Sequence, residues 1–150
     1  MQKILTRNSK ETKNLAKVLA GEIRGGEIIC LSGDLGAGKT TFTQGLLEAL
    51  GAEGPYTSPT FVVIKNYKGI FNSQFSIHKQ IEINHIDAYR INEKDLLELG
   101  WQDFAGKKDC VTIIEWPERV KNLIPTEALW ISFEWLSENE REITISKKLA

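Results

Sequence analysis

The feature that most constrains this chain is a glycine-rich segment, residues 33–40, that matches the pattern G-x-x-x-x-G-K-[ST]. Immediately before it, residues 28–31 form a continuous apolar run, which is typical of a central strand buried on both faces. After it, apolar residues at helical spacing predict a helix over residues 40–50 that stops at Gly51. Strand, glycine loop and helix therefore follow one another in the order that a phosphate-binding loop requires.

The residue types of this loop suit the binding of phosphate and a metal ion. Glycines let backbone N–H groups converge on phosphate oxygens, where a side chain would block the approach. Lys39 supplies a mobile positive charge for the β and γ phosphates, and the Thr40 hydroxyl is a hard oxygen ligand suited to Mg²⁺. The helix that follows adds the positive end of its dipole. The loop thus predicts a site for a nucleoside triphosphate with Mg²⁺.

The remaining patterns predict a single α/β domain over residues 1–150. Asn8 or Ser9 can cap a helix that runs to about residue 23. Further strands are predicted over residues 61–67, 81–87, 111–114, 128–136 and 142–147, with a helix over 95–99 capped by Asn92 and a long hairpin connection over 68–80. The last two strands are expected to pair antiparallel. The predicted fold is a three-layer P-loop NTPase-like fold, whose mixed sheet has a parallel core and antiparallel additions at its edges.

Composition and terminal sequence limit the possible partners and location. The chain has 19 Lys plus Arg and 20 Asp plus Glu, so no global basic field attracts it to nucleic acid. Residues 1–8 lack the apolar stretch of a signal peptide and no run is long enough to span a bilayer, so we expect a cytoplasmic protein without a membrane partner. Cys30 and Cys110 lie in apolar runs and are predicted to be buried hydrophobes rather than redox or metal-binding groups.

Two carboxylates follow predicted strands of this sheet. Asp87 comes after the strand that ends in Ile86, and Glu115 comes directly after the apolar run 111–114. A P-loop needs an acid that orders the metal and a group that positions the attacking water, both at the carboxyl ends of strands. Each acid could instead be a solvated strand-end residue or a helix cap. Their positions alone leave open which one binds Mg²⁺ and which one orients water.

Four segments together resemble the bacterial TsaE (YjeE) family, the tRNA threonylcarbamoyladenosine biosynthesis ATPases. These segments are residues 33–41, 57–61, 85–90 and 114–117, and the resemblance extends in order over nearly the whole chain. The resemblance implies a cytoplasmic ATPase that works with the TsaD and TsaB proteins. That pair installs threonylcarbamoyl on adenosine 37 of tRNAs that read codons beginning with A. The ATPase of the family does not perform the transfer itself, and its hydrolysis of ATP is expected to support repeated turnover of the complex.

The resemblance also implies roles for individual residues. The ATP and Mg²⁺ cradle would consist of Gly33, Asp34, Leu35, Gly36, Ala37, Gly38, Lys39, Thr40 and Thr41. Thr40 and Glu115 would be metal ligands or near neighbours, and Asp87 would be a second acid close to the metal and essential to hydrolysis. With Lys39, these two acids form the predicted catalytic set. Ser58 and Thr60 resemble a switch-like segment that senses the γ-phosphate.

Other matched positions keep a structural alternative. Trp116 resembles a residue coupled to the nucleotide site, but it could equally be a core aromatic. Arg141 matches an arginine that reaches the nucleotide, with a surface salt bridge as the alternative. Thr12 matches a position near the adenine, with a solvated helix face as the alternative. His85 and Tyr89 are expected only to brace Asp87.

The main departure from the family pattern is the connection over residues 68–80, which is longer than the usual family hairpin.

The strongest rival function is a small-molecule kinase that uses the same glycine loop. Such an enzyme usually needs a lid of several arginines that exclude water, whereas the arginines here are few and scattered along the sequence. A regulatory GTPase is disfavoured because the sequence has no N-K-x-D segment for guanine, and a non-catalytic nucleotide sensor is the third option.

Overall fold

A seven-stranded mixed sheet forms the centre of the computed structural model, which describes residues 1–59, 62–73 and 76–147. Its strands are β1 (Gln2–Thr6), β2 (Ile28–Ser32), β3 (Ile64–Ser73), β4 (Ser76–Asp87), β5 (Cys110–Glu115), β6 (Leu129–Trp135) and β7 (Arg141–Lys147). The helices are α1 (Ser9–Ala20), α2 (Lys39–Ala49), α3 (Glu93–Glu98) and α4 (Trp101–Phe104), followed by a 3₁₀ helix (Pro117–Leu123).

The strand order is β1-β7-β6-β2-β5-β4-β3, with β2 at the centre. Strands β6, β2, β5 and β4 are mutually parallel neighbours. Strands β7 and β1 add antiparallel pairs at one edge, and β3 pairs antiparallel with β4 at the other. The predicted fold class is therefore confirmed: a parallel core carries antiparallel additions at both edges.

Two apolar clusters cover the two faces of the sheet and make three layers. The first packs α1 and α2 against one face, with Phe42 and Leu46 among its buried residues. The second packs α3, α4 and the 3₁₀ helix against the other face, around Trp101 and Ile114. Cys30 and Cys110 are buried, as predicted from their apolar runs. None of the helices in the described part of the chain has the length and apolar character that crossing a membrane requires.

Local capping agrees with the sequence. The Asn8 side chain accepts a hydrogen bond from the backbone N–H of Glu11, which makes Asn8 the cap of α1. Asn92 caps α3 in the same way, and the Asp95 side chain accepts from the Asn92 N–H to complete a capping box. The helix begins at Glu93, two residues before the predicted start.

Several elements differ from the prediction. The connection predicted over residues 68–80 is largely strand, because β3 and β4 continue their pairing through residues 73 and 76. Strand β3 begins at Ile64 rather than at residue 61, and helix α1 ends at Ala20 rather than near residue 23. Strand β1, helix α4 and the 3₁₀ helix were not predicted at all.

Candidate functional site

The carboxyl ends of the parallel strands bring the glycine loop and the two acids together. Leu31, near the end of β2, pairs in register with Glu115, the last residue of β5. Glu115 in turn pairs with Asp87, the last residue of β4. The Ala88 N–H donates to the Glu115 carbonyl at 3.0 Å, which extends this alignment past the end of β4. Both acids therefore lie at the edge of the sheet where β2 enters the loop.

The loop needs glycine at three positions because of its backbone. Gly33, Gly36 and Gly38 have φ values of 146°, 79° and 111°, which L side chains rarely adopt. A Cβ atom on Gly33 would also lie 2.7 Å from the Phe133 carbonyl oxygen. The loop ends where α2 begins at Lys39, so the positive end of the helix dipole points toward the loop.

Lys39 is held inside the site, with 5% of its surface exposed. Its Nζ donates to the Gly33 carbonyl oxygen and lies 4.1 Å from the centroid of the Trp116 ring, a cation–π distance. Burial lowers the pKa of the Lys39 ammonium, and the nearby carboxylates, Glu115 first among them, partly oppose that lowering. A partly desolvated ammonium at the loop is well suited to attract phosphate.

Glu115 is a buried carboxylate whose partner is a histidine rather than a lysine. His85 Nε2 lies 2.8 Å from Glu115 Oε2, and their side chains are 3% and 7% exposed. The hydrogen bond of His85 goes to Glu115 on the neighbouring strand, so the expectation that His85 braces Asp87 is wrong as regards hydrogen bonding. Asp87 is instead oriented by backbone, since its Oδ1 accepts from the Tyr89 N–H at 2.9 Å.

Each of the two acids, Asp87 and Glu115, has a residue with strained backbone next to it. Val63 and Trp116 have φ values of 67° and 58°, the positive values found among non-glycine residues of the described chain. The Val63 carbonyl accepts from the Asp87 N–H at 2.8 Å, and Trp116 directly follows Glu115. Strain of this kind costs on the order of 1–3 kcal/mol per residue and concentrates at functional sites. The turn at Trp116 is also what brings its ring over Lys39.

Arg141 links the glycine loop to the turn between β6 and β7. Its Nη2 donates to the Gly36 carbonyl at 3.1 Å, and its Nη1 donates to the carbonyls of Ser137, Glu138 and Glu140 at 2.7, 3.3 and 3.0 Å. The side chain thus contacts backbone carbonyls on both sides, which differs from the surface salt bridge considered as its alternative role. It is placed to hold the loop against the β6–β7 turn.

A cavity of about 200 Å³ opens over the loop and contains most of the predicted site. It is lined by Leu35, Gly36, Gly38, Lys39, Thr40, Thr41, Ser58, Asp87, Glu115, Trp116 and Arg141. A second cavity of about 160 Å³ shares Gly38, Thr41 and Arg141 with the first and extends toward α1. Larger cavities of about 560 and 600 Å³ lie elsewhere, and neither is lined by a residue of the loop.

The second cavity contains Thr12, which was predicted near the adenine. Thr12 is 2% exposed and its hydroxyl lies 2.8 Å from that of Thr6, so the solvated-face alternative is wrong. Asn8, Ser9, Glu138 and Asn139 complete the lining with polar groups. Thr60, the second residue of the predicted switch-like segment, lies outside the described residues.

The sequence analysis missed two contacts of the site. One is the hydrogen bond between His85 and Glu115, and the other joins the Ser32 hydroxyl to the Glu118 carboxylate. The charge of Glu118 also acts on Lys39. The sequence did not indicate a role for Glu118, because only the 3₁₀ helix brings this residue back toward the end of β2.

The oxygen groups of the first cavity fit a hydrated Mg²⁺ ion. Thr40 supplies a hydroxyl, while Asp87 and Glu115 supply carboxylates. Within the described chain, no cluster of three or more His, Cys, Asp and Glu side chains could hold a metal by itself. Mg²⁺ keeps several waters and uses one or two protein oxygens together with substrate phosphates, so an all-protein cage is not required. Thr40 with one or both acids would hold the ion once phosphate is present.

Comparison with known proteins gives consistent matches. Residues 6–143 match the model of the family described as "Threonylcarbamoyl adenosine biosynthesis protein TsaE". The chain is 38% identical to the tRNA threonylcarbamoyladenosine biosynthesis protein TsaE of Bacillus subtilis, over 94% of this chain and 82% of that protein. It is 32% identical to the protein of the same name from Aquifex aeolicus, over 99% and 98% of the two chains.

The fold is also similar to a solved structure. The crystal structure of Bacillus subtilis YdiB superposes with a TM-score of 0.77 at 33% sequence identity. The match covers 98% of this chain and 85% of that one.

Proposed function

This chain belongs to the TsaE family of threonylcarbamoyl adenosine biosynthesis proteins, and we propose that it is the ATP-hydrolysing accessory protein of that tRNA modification. The observation that carries the proposal is the cavity over the glycine loop, where Lys39, Thr40, Asp87 and Glu115 converge. Phosphate-binding backbone, an ammonium, a hydroxyl and two carboxylates form the set of groups that hydrolysis of a nucleoside triphosphate needs.

In this proposal the loop holds the phosphates. The N–H groups around the three glycines and the amino end of α2 surround the β-phosphate, while Lys39 leaves the Gly33 carbonyl to contact the β and γ phosphates. The buried position of Lys39 makes its charge more effective, since water screens it little. Trp116 keeps the ammonium at the loop by packing over it.

The acids carry the hydrolytic step. The chemistry that Mg²⁺ would supply here is positive charge, which offsets the negative charge that develops on the phosphates. Thr40 and Glu115 would hold that ion, and Asp87, the second acid in the same cavity, would orient the attacking water. Ser58, which lines the same cavity, is placed to sense whether the γ-phosphate is present.

The second cavity is proposed as the subsite for the nucleoside. It continues from the loop at Gly38 and Thr41, so a nucleotide whose phosphates lie in the first cavity can extend into it. Thr12 lies at its base, and polar side chains from α1 and from the β6–β7 turn surround it. Contacts from these groups would favour a hydrogen-bonding base such as adenine.

The partners of the proposal are TsaD and TsaB, with tRNA reached only through that complex, and its location is the cytoplasm. A net charge of −1 supports this indirect contact, because the chain has no global attraction for the phosphate backbone. Hydrolysis by the chain alone is expected to be weak. Binding of the partners would raise it and allow repeated turnover of the complex.

The experiment is a steady-state assay of ATP hydrolysis by the chain alone, with TsaD and TsaB each alone, and with both together. We expect little phosphate release by the chain alone and a clear increase with the pair. A pull-down of TsaD in ATP and in ADP reports whether the contact depends on the nucleotide. No stimulation together with no nucleotide-dependent binding would reject the accessory role. ATP-dependent phosphorylation of a metabolite would favour the rival kinase.

A further inference from the structure

The side chains of His85 and Glu115 form a buried pair behind the wall of the phosphate cavity. His85 pairs in register with Ile113 across the parallel strands β4 and β5, and Glu115 lies two residues further along on the same face. The 2.8 Å contact joins His85 Nε2 to Glu115 Oε2, and each side chain is less than one-tenth exposed. Glu115 lines the cavity, whereas His85 is not part of the lining.

Hydrogen bonding indicates which tautomer His85 adopts. A carboxylate only accepts hydrogen bonds, so Nε2 has to carry the proton that lies between the two groups. Nδ1 of the same ring is buried and has no hydrogen-bond partner in the described part of the chain. A proton on Nδ1 would therefore be unsatisfied, which favours the ring with its proton on Nε2. His85 is then a fixed single donor aimed at Glu115.

The buried hydrogen bond from His85 orients the carboxylate of Glu115. The hydrogen bond to Oε2 restricts rotation about the last bond of the Glu115 side chain, which also lines the cavity. Carboxylates that bind metals are commonly oriented by hydrogen bonds of this kind, and loss of the outer partner typically costs about 10–100-fold in metal affinity or activity.

We propose that His85 is a positioning residue that orients Glu115 toward the Mg²⁺ ion bound with ATP. The inference rests on the proposed function, because it assumes that Glu115 faces a metal–nucleotide complex. It assigns the histidine of the His-x-Asp segment to the acid of the neighbouring strand rather than to Asp87. Asp87 already has its own orienting contact, from the Tyr89 N–H.

The test measures how strongly Mg²⁺ raises the affinity for a non-hydrolysable ATP analogue, by titration in Mg²⁺ and in EDTA. Two variants form a matched pair, because the amide nitrogen of Gln reaches about as far as Nε2 and that of Asn does not. We expect His85→Asn to reduce the gain from Mg²⁺ by about tenfold or more. His85→Gln is expected to keep most of the gain. In EDTA both variants should bind the analogue as the wild type does.

A double-mutant cycle identifies the residue through which His85 acts. If His85 works through Glu115, then His85→Asn has no further effect on the Mg²⁺ gain in a Glu115→Gln background. In an Asp87→Asn background it should keep its full effect. Mn²⁺ binding followed by electron paramagnetic resonance gives a second readout that does not require turnover, and it should follow the same order.

The outcomes separate this inference from the proposed function. A wild-type chain that gains no affinity from Mg²⁺ contradicts the proposed function itself. If Mg²⁺ raises the affinity of the wild type and of His85→Asn by the same factor, only the role of His85 is overturned. Additive effects in the Glu115→Gln background also overturn it. Circular dichroism shows whether His85→Asn folds. If it does not, His85→Gln alone decides: the proposal is contradicted if the Mg²⁺ gain of His85→Gln is as small as that of Glu115→Gln.

Discussion

Lys39 occupies an environment that combines low solvent exposure with several opposite charges. Its ammonium lies between the Gly33 carbonyl and the Trp116 ring, and burial outweighs the neighbouring carboxylates in its effect on the pKa. The lysine therefore loses its proton at a lower pH than an exposed lysine does. Only the protonated form attracts phosphate, so this shift has a measurable consequence for nucleotide binding.

We expect the affinity for ATP to fall as the pH rises toward the range in which ordinary lysines titrate. The fall should begin at the lowered pKa of free Lys39, before ordinary lysines titrate, and phosphate binding should be coupled to proton uptake above that pH. A Lys39→Arg variant, whose side chain keeps its charge, should show a flatter profile even if it binds more weakly. Calorimetric titrations across this range measure both. Identical slopes for the two proteins would assign the pH dependence to other groups.

The two acids are expected to matter more for turnover than for binding. Asp87→Asn and Glu115→Gln remove a charge while keeping similar shape, so the phosphates can still be held by the loop and Lys39. Charge and water placement act mainly in the transition state, where losing one such group costs about 10²–10³ in kcat. Rapid-quench hydrolysis and equilibrium binding with each variant give the two values. Equal losses in both would mark the acids as structural.

Helices α1 and α2 pack closely against each other at Gly45. A Cβ atom added to Gly45 would lie 2.8 Å from the Lys13 carbonyl oxygen and 2.9 Å from the Lys13 Cα. These are backbone atoms, which cannot move aside without shifting a helix. Both helices would have to separate to admit even a methyl group, which weakens the core beneath them.

We therefore expect Gly45→Ala to lower the free energy of unfolding by about 1–2 kcal/mol, because overpacking exceeds the gain in helix propensity. Gly21→Ala is the matched control. Gly21 has an ordinary helical φ of −64°, and its added Cβ would meet only the Val18 carbonyl, at 3.3 Å. Its effect should stay below about 1 kcal/mol. Urea titrations compare the two, and a neutral Gly45→Ala would show that the helices can separate freely.

The elements that the sequence predicted well are those with strong local patterns. The buried run of β2, the glycine loop and the amphipathic α2 follow directly from residue spacing. Strand β1 lacks such a pattern because four of its five residues are not buried, and its partner β7 lies at the far end of the chain. Pairing with a distant strand, rather than local propensity, makes it a strand. The β3–β4 ribbon extends beyond its predicted bounds because the two consecutive strands continue their pairing to Ser73 and Ser76.

The candidate site was predictable to a similar degree. The motif gave Lys39 and Thr40, and the strand ends gave Asp87 and Glu115. The contact between His85 and Glu115 was not predictable, because it depends on the parallel register of β4 and β5, which sequence spacing does not determine. The position of the Trp116 ring over Lys39 depends in turn on a left-handed backbone that a tryptophan rarely adopts.

The whole molecule uses the sheet to bring together groups that lie far apart in the sequence. The loop, the acids and the β6–β7 turn meet at one edge, and Arg141 joins the turn to the loop through the Gly36 carbonyl. The two cavities share Gly38, Thr41 and Arg141, and we propose that together they accommodate one nucleotide. Open α/β sheets generally bind ligands in a crevice at the carboxyl ends of their strands, and this arrangement agrees with that rule.

The most direct test of this account is a calorimetric titration with ATP and Mg²⁺ of the wild type, of Lys39→Ala and of Lys108→Ala. Lys108 is an exposed lysine just before β5, at the end of that strand opposite to Glu115, and it serves as the charge-matched control. We expect the wild type and Lys108→Ala to bind one ATP, and Lys39→Ala to lose at least about 100-fold in affinity. Equal affinity in all three proteins would contradict the assignment of the phosphate site.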